Sequence, residues 1–189
     1  MKTWAPLLTG LCTVAISSQL SAAVMDRDSA QECYLATLNQ SLSSQLCLLA
    51  CTAALENAAD NGTKAGLFAN RAFIHLRMAD YAGTVADADA SLSLAPDLAA
   101  ANLNRGAGLI GLGRYREALP SLERAVTLSR GDKLELAYYN RGIAREHLGD
   151  IKGAYFDYKK AAEINPKFAP AAEQLARFTV TTGPAQASP

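Results

Sequence analysis

Phe68-Ala69-Asn70-Arg71-Ala72, Asn102-Leu103-Asn104-Arg105-Gly106 and Tyr138-Tyr139-Asn140-Arg141-Gly142 are three versions of one phrase, set 34 and then 36 residues apart. The agreement continues downstream in step. Ala79, Gly113 and Gly149 share a column, as do Tyr81, Tyr115 and Ile151, then Thr84, Ala118 and Ala154, then Ser91, Ala125 and Ala161, then Leu94, Leu128 and Ile164. Pro96 and Pro166 close the first and third copies, and Arg130 stands where the second would have its proline. The two extra residues fall between Leu128 and Asn140, within Ser129 to Lys133. A period of this length makes each copy one supersecondary unit that buries its apolar face by stacking on its neighbours.

The columns have physical reasons. Small residues at Ala72, Gly106 and Gly142, facing Thr84, Ala118 and Ala154, let two helix backbones approach closely. Gly113 and Gly149 end the first helix of their copies, where a left-handed conformation costs glycine little. Ala79 must manage without that advantage, or end its helix differently. Tyr81, Tyr115 and Ile151 are expected to fill the wedge between the helices, and the proline stops the second helix because it cannot continue it. Pro120 is expected in the first turn of a helix starting near Arg116, where a missing backbone donor costs little.

Helix, turn, helix and closing proline at this period resemble the tetratricopeptide repeat, over residues 65–166. The resemblance implies an all-α, right-handed solenoid with repeats at 65–98, 99–132 and 135–168. Residues 28–58 read as a divergent hairpin in which Ala54-Leu55 matches Ala125-Val126, although it lacks the Asn-Arg pair and the turn glycine. Residues 169–179 read as a capping helix, with Pro170 at its first position and apolar Ala172, Leu175, Ala176 and Phe178. The repeat domain so defined spans 28–180, and 181–189 is expected to be a disordered tail.

The chain carries 18 basic and 18 acidic side chains. Without net charge or a basic stripe it has no general field to draw nucleic acid, so no nucleic-acid partner is expected. At the start, Lys2 precedes an uncharged stretch with an apolar centre from Trp4 to Ile16, then Ser21-Ala22-Ala23. That is the pattern of a secretory signal peptide over 1–23, cleaved to leave Val24 first. The apolar centre is shorter than the ~20 residues that span a bilayer, so no membrane span is expected after cleavage. The leader and a resemblance to small exported bacterial repeat proteins point to the periplasm.

Cys33, Cys47 and Cys51 lie beyond the leader, and an oxidising compartment favours disulfides. If 28–58 turns back on itself around Asn39 to Ser43, Cys33 comes opposite the stretch from Cys47 to Cys51. A Cys33–Cys51 bridge with Cys47 reduced is the expectation, and three buried thiols serving as small apolar side chains are the alternative. Zinc would need four ligands, and no histidine lies near.

Catalytic motifs are not apparent. His75 and His147 are the two histidines, and neither belongs to a metal-binding or nucleophilic pattern. No enzyme activity and no cofactor are expected. His75 shares a packing column with Leu109 and Arg145 and reads as structural, while Asp87 and Asp157 share a column and are expected to pair with Arg71 and Arg141.

Asn70, Asn104 and Asn140 fall on the first helix of each copy, which in the repeat family lines the concave side. A ladder of amides can bond the backbone of an extended peptide, or it can bond the neighbouring helix and set repeat stacking. Both readings stand at this point. Phe73, Arg77, Tyr139, Glu146 and His147 are expected to face the same groove. Grooves of the co-chaperone type clamp a terminal carboxylate with several basic residues, for which Arg77 alone is a candidate. The resemblance therefore implies an exported adaptor or scaffold that binds a peptide or protein partner in its concave groove. The alternative is a structural subunit of a cell-envelope assembly, or a homo-oligomer.

Overall fold

The computed structural model describes residues 29–38 and 43–178. The expected leader and the tail at 181–189 lie outside the described residues. Within these, the chain folds as α1 (Ser29–Leu38), α2 (Ser44–Asn57), α3 (Asn61–Arg77), α4 (Tyr81–Leu94), α5 (Ala99–Gly111), α6 (Tyr115–Leu128), α7 (Leu134–His147), α8 (Ile151–Ile164) and α9 (Ala169–Leu175), with no strand among them. Each helix packs on the next, and α1, α3, α5 and α7 also touch in succession. That pattern of contacts is a solenoid of helical hairpins. The extra residues of the third copy form a single 3-10 turn, Gly131–Lys133.

The hairpin turns show why the repeat keeps its punctuation. Ala79, Gly113 and Gly149 all adopt left-handed backbone, with φ of 57°, 72° and 84°. Their amides donate to the carbonyls of Leu76, Ile110 and Glu146, and the next amide reaches back to His75, Leu109 and Arg145 at 2.8 to 2.9 Å. This double closure satisfies carbonyls that a helix end leaves open. Ala79 makes the same turn as the two glycines, at a conformational cost of about 1–2 kcal/mol for an L residue. Ala79→Gly should therefore raise stability by about 0.5–1 kcal/mol in urea unfolding, part of the gain being offset by glycine's greater freedom in the unfolded chain. An unchanged or lowered midpoint would show that the turn is held by other contacts.

Asp80 and Asp150 then cap the following helices, each accepting a hydrogen bond from the amide of Gly83 or Gly153 at 2.9 Å. Arg114 has no such oxygen to offer and instead donates to Glu117. At the start of α3, Asp60 accepts from the Thr63 amide at 2.8 Å and from its hydroxyl at 2.6 Å, which holds its carboxyl below the usual aspartate range. This cap starts α3 four residues before the expected repeat boundary at 65.

Four expectations need correction. A Cβ on Gly142 would stand 2.7 Å from the Tyr158 ring, and one on Gly106 would collide with Leu122. The small column thus makes room for a large side chain one turn beyond Ala118 and Ala154. In the first copy both positions are alanines, Ala72 and Ala88, and both are fully buried. Pro120 is the sixth residue of α6, inside the helix and not in its first turn. It is tolerated because it is exposed beside the exposed Arg116, whose freed carbonyl water can bond. Pro170 is the second residue of α9, whose N-cap is Phe168, and α9 ends at Leu175, short of the expected 179. Ile151 is 52% exposed and fills no wedge, no described helix being packed over it.

The first hairpin is closed differently. Cys33 and Cys51 are joined as a disulfide with Cα atoms 4.5 Å apart, and Cys47, Ala54, Leu67 and Ile74 pack into the same buried cluster. Cys33 and Cys51 cross between the helices where Gly106 meets Leu122 and Gly142 meets Tyr158.

Candidate peptide-binding face

The first helices of the three repeats each turn one stripe away from the core. It comprises Gly66, Asn70, Phe73 and Arg77 on α3, Ala100, Asn104, Ala107 and Gly111 on α5, and Leu136, Asn140, Ile143 and His147 on α7. Their spacing puts each set on one side of a helix. The small residues of the middle rung and the apolar Leu136 and Ile143 escape notice when one looks for polar side chains, although their columns can be counted off the repeat.

The three asparagines do not share one role. Asn104 is 6% exposed, and its side-chain amide donates to the Ala69 carbonyl at 2.9 Å. It fastens α5 to α3 and cannot face a ligand, because the middle helix is enclosed by repeats on both sides. Asn70 and Asn140 are half-buried and make no side-chain hydrogen bond within the described residues. Asn102, which the sequence did not single out, donates to the carbonyls of Pro96 and Leu98 and secures the turn between repeats.

Two other expected groove residues are engaged elsewhere. Tyr139 meets Phe168 edge-on, with centroids 5.2 Å apart, and lies against Tyr158. Glu146 accepts from the Tyr158 hydroxyl at 2.8 Å and from Arg177 at 2.7 Å, so it ties α7 to α8 and to the segment after α9. Burial first, and then this bond to Glu146, push the Tyr158 hydroxyl well above the usual tyrosine range, which keeps it a neutral donor. His147 does lie on the stripe, exposed, but its ring stacks flat on Tyr115 with centroids 4.0 Å apart. Phe73, 39% exposed, and the exposed Arg77 complete the face.

On the other side, arginines of the first helices bond polar side chains of the second helices, and Arg71 and Arg105 also reach the second helix of the hairpin before. Arg71 donates twice to Asp87 at 2.7 Å and once to Thr52 on α2 at 3.2 Å. Arg105 reaches Ser121 within its own repeat and Asp89 on α4, the helix before. Arg141 donates twice to Asp157, and Arg145 adds a third bond at 2.8 Å. The hydrogen bonds to Asp87 hold the Arg71 guanidinium above the usual arginine range. For Arg141 burial opposes the charge most strongly, yet Asp157, Tyr138 and Glu123 together outweigh it and its pKa is raised. Arg71 and Arg141 also lie over the rings of Phe68 and Tyr138. His75 sits between carboxylates, Nδ1 2.8 Å from Asp80 but off the angle of a hydrogen bond and Nε2 3.6 Å from Asp87.

Among the described residues no group of three or more His, Cys, Asp or Glu side chains is gathered as a metal ion would require. No described helix is long and apolar enough to cross a membrane.

Stacked helical hairpins of 34-residue pitch, a left-handed turn within each repeat and an outward stripe on every first helix define an α-solenoid of paired helices. The chain has the fold of a tetratricopeptide-repeat solenoid. The family model described as "Tetratricopeptide repeat" matches residues 136–168. The Protein SGT1 homolog of Oryza sativa subsp. japonica is 37% identical over 68 residues, which cover 36% of this chain and 18% of that protein's own length. The fold is similar to that of MamA 41-end from Desulfovibrio magneticus RS-1, with a TM-score of 0.63 and 22% identity, covering 79% of this chain and 82% of that one. It is also similar to the first TPR of Spaghetti (RPAP3) bound to HSP90 peptide SRMEEVD, with a TM-score of 0.56 and 23% identity over 61% and 90% of the two chains.

Proposed function

We propose that this chain is an exported adaptor that holds an extended peptide or protein segment along the α3, α5 and α7 stripe. The observation that carries the reading is the pair of unengaged amides, Asn70 and Asn140, on either side of a rung of small residues at Ala100 and Ala107. Small residues let a foreign backbone approach, and the amides beyond them can both donate to it and accept from it. Phe73 and Ile143 add apolar contacts. The peptide bound to the similar Spaghetti domain supports this use of the fold. With Arg77 the one arginine and no lysine on the stripe, the partner is held through its backbone and apolar side chains, not by a clamp on its terminal carboxylate. Export to the periplasm is supported by the leader pattern and by the Cys33–Cys51 pair, a chemistry that persists in oxidising compartments. A second reading, a subunit of an envelope assembly, is favoured by the exposed leucines of α1.

A peptide selected by display on the folded protein, then titrated by fluorescence anisotropy, tests the site. Replacing Asn70 and Asn140 together by alanine should weaken binding by about 1 kcal/mol per amide, roughly thirtyfold in all, with the unfolding midpoint unmoved. Asn104→Ala should do the reverse, lowering stability by about 0.5–1.5 kcal/mol because the bond that ties α5 to the Ala69 carbonyl of α3 is lost. Unchanged affinity in the double variant would remove the stripe as the binding site.

A further inference from the structure

The second and third repeats seat their first helices on the hairpin before them through the same two positions. In the second repeat these are Gly108, where a Cβ would stand 2.9 Å from Thr84, and Gly111, which lies against the Tyr81 ring. In the third they are Ala144, fully buried, and His147, stacked on Tyr115. The corresponding positions of α1 follow from Cys33, which crosses to Cys51 as Gly106 does to Leu122. Counting onward, they are Leu35 and Leu38. No described hairpin precedes α1, and these leucines are 49% and 60% exposed, with Tyr34 exposed beside them.

The other end of the solenoid carries the opposite deficit. Ile151 stands in the column of Tyr81 and Tyr115 but has no described helix seated on it, because α9 ends at Leu175, well before the level that α5 and α7 reach. What remains is a depression of about 300 Å³ lined by Glu146, Ile151, Arg177 and Phe178. Among the described residues, one end is a helix without a seat, and the other is a seat without a helix. Charge runs the same way. Residues 29–98 hold three basic and seven acidic side chains, whereas 99–178 hold thirteen basic and nine acidic. Opposite ends therefore attract and like ends repel.

We propose that the chain associates head to tail, Leu35 and Leu38 of one copy entering the Ile151 and Phe178 depression of the next and continuing the contact already made between repeats. Such an interface joins two different surfaces, so it propagates into a ring or an open row instead of stopping at a two-fold dimer. None of the residues proposed for peptide binding takes part.

Sedimentation velocity of the purified protein over a range of concentration, at low and high salt, tests this. Species larger than the monomer are expected to grow with concentration and to recede with salt. Leu38→Glu and Ile151→Glu should each weaken association by about tenfold or more, while circular dichroism and the unfolding midpoint stay at the parent's values because both side chains are exposed. Mixing the two variants should restore one sound interface and give a one-to-one dimer that grows no further. A parent protein that stays monomeric throughout would overturn the proposal. So would an Ile151→Glu variant that associates like the parent, since the leucine ends would then be pairing with each other.

Discussion

Asp157→Ala should cost about 3 kcal/mol of folding stability, one of the two largest effects expected of a change in this chain. The Asp157 side chain is 3% exposed and accepts three hydrogen bonds from Arg141 and Arg145, whose own side chains are only 15% and 24% exposed. Removing the carboxylate leaves Arg141 without its hydrogen-bonded partner, facing a second partly buried guanidinium, Arg145, which keeps only the more distant, exposed Asp150 at 3.7 Å. The loss is therefore the cost of stranding buried charge, and it exceeds the net worth of the pair itself. Asp89→Ala is the control, because Asp89 is 53% exposed in its bond with Arg105 and should change stability by no more than ~1 kcal/mol. Urea unfolding of the two variants side by side decides the matter. Equal small losses would mean that water reaches the Asp157 cluster and that the clip is an ordinary surface ion pair.

Loss of the Cys33–Cys51 bridge should have an effect of similar size. The bridge closes a loop of 18 residues in sequence, for which constraint of the unfolded chain is worth about 2–4 kcal/mol. Its effect should fall first on the hairpin that carries it. α1 has ten residues, too few to be helical alone, and Tyr34, Leu35, Leu38, Leu46 and Leu49 contribute less to its packing because they are exposed. Reductant, or Cys33→Ser with Cys51→Ser, should thus let α1 exchange its amides rapidly while α3 to α8 remain protected. Hydrogen exchange with and without reductant reads this directly. Uniform loss of protection would show that the solenoid unfolds as one unit, and non-reducing peptide maps of exported protein that linked Cys47 instead would place the hairpin register a turn away.

Much of this was legible in residue identities. The repeat period, the left-handed turns at Gly113 and Gly149, the pairing of Arg71 with Asp87 and of Arg141 with Asp157, and the position of Cys33 opposite Cys51 are set by local geometry or by spacing within one hairpin. The candidate face was legible only in part. Phe73, Arg77 and His147 lie on the expected stripe, whereas Tyr139 and Glu146 are drawn into packing with Phe168, Tyr158 and Arg177.

What the amino-acid sequence determined by itself is therefore the repeated unit: two helices, the turn between them and the contacts that one hairpin makes internally. What only the tertiary structure decided is how identical columns diverge. Asn70, Asn104 and Asn140 read alike, yet the middle one is buried against Ala69 and the outer two are not. Tyr81, Tyr115 and Ile151 read alike, yet the last is 52% exposed, with no described helix above it. The reason is that a solenoid is periodic in sequence but finite in space. Each side chain's burial depends on which repeats stand before and after its own, and those neighbours change at both ends.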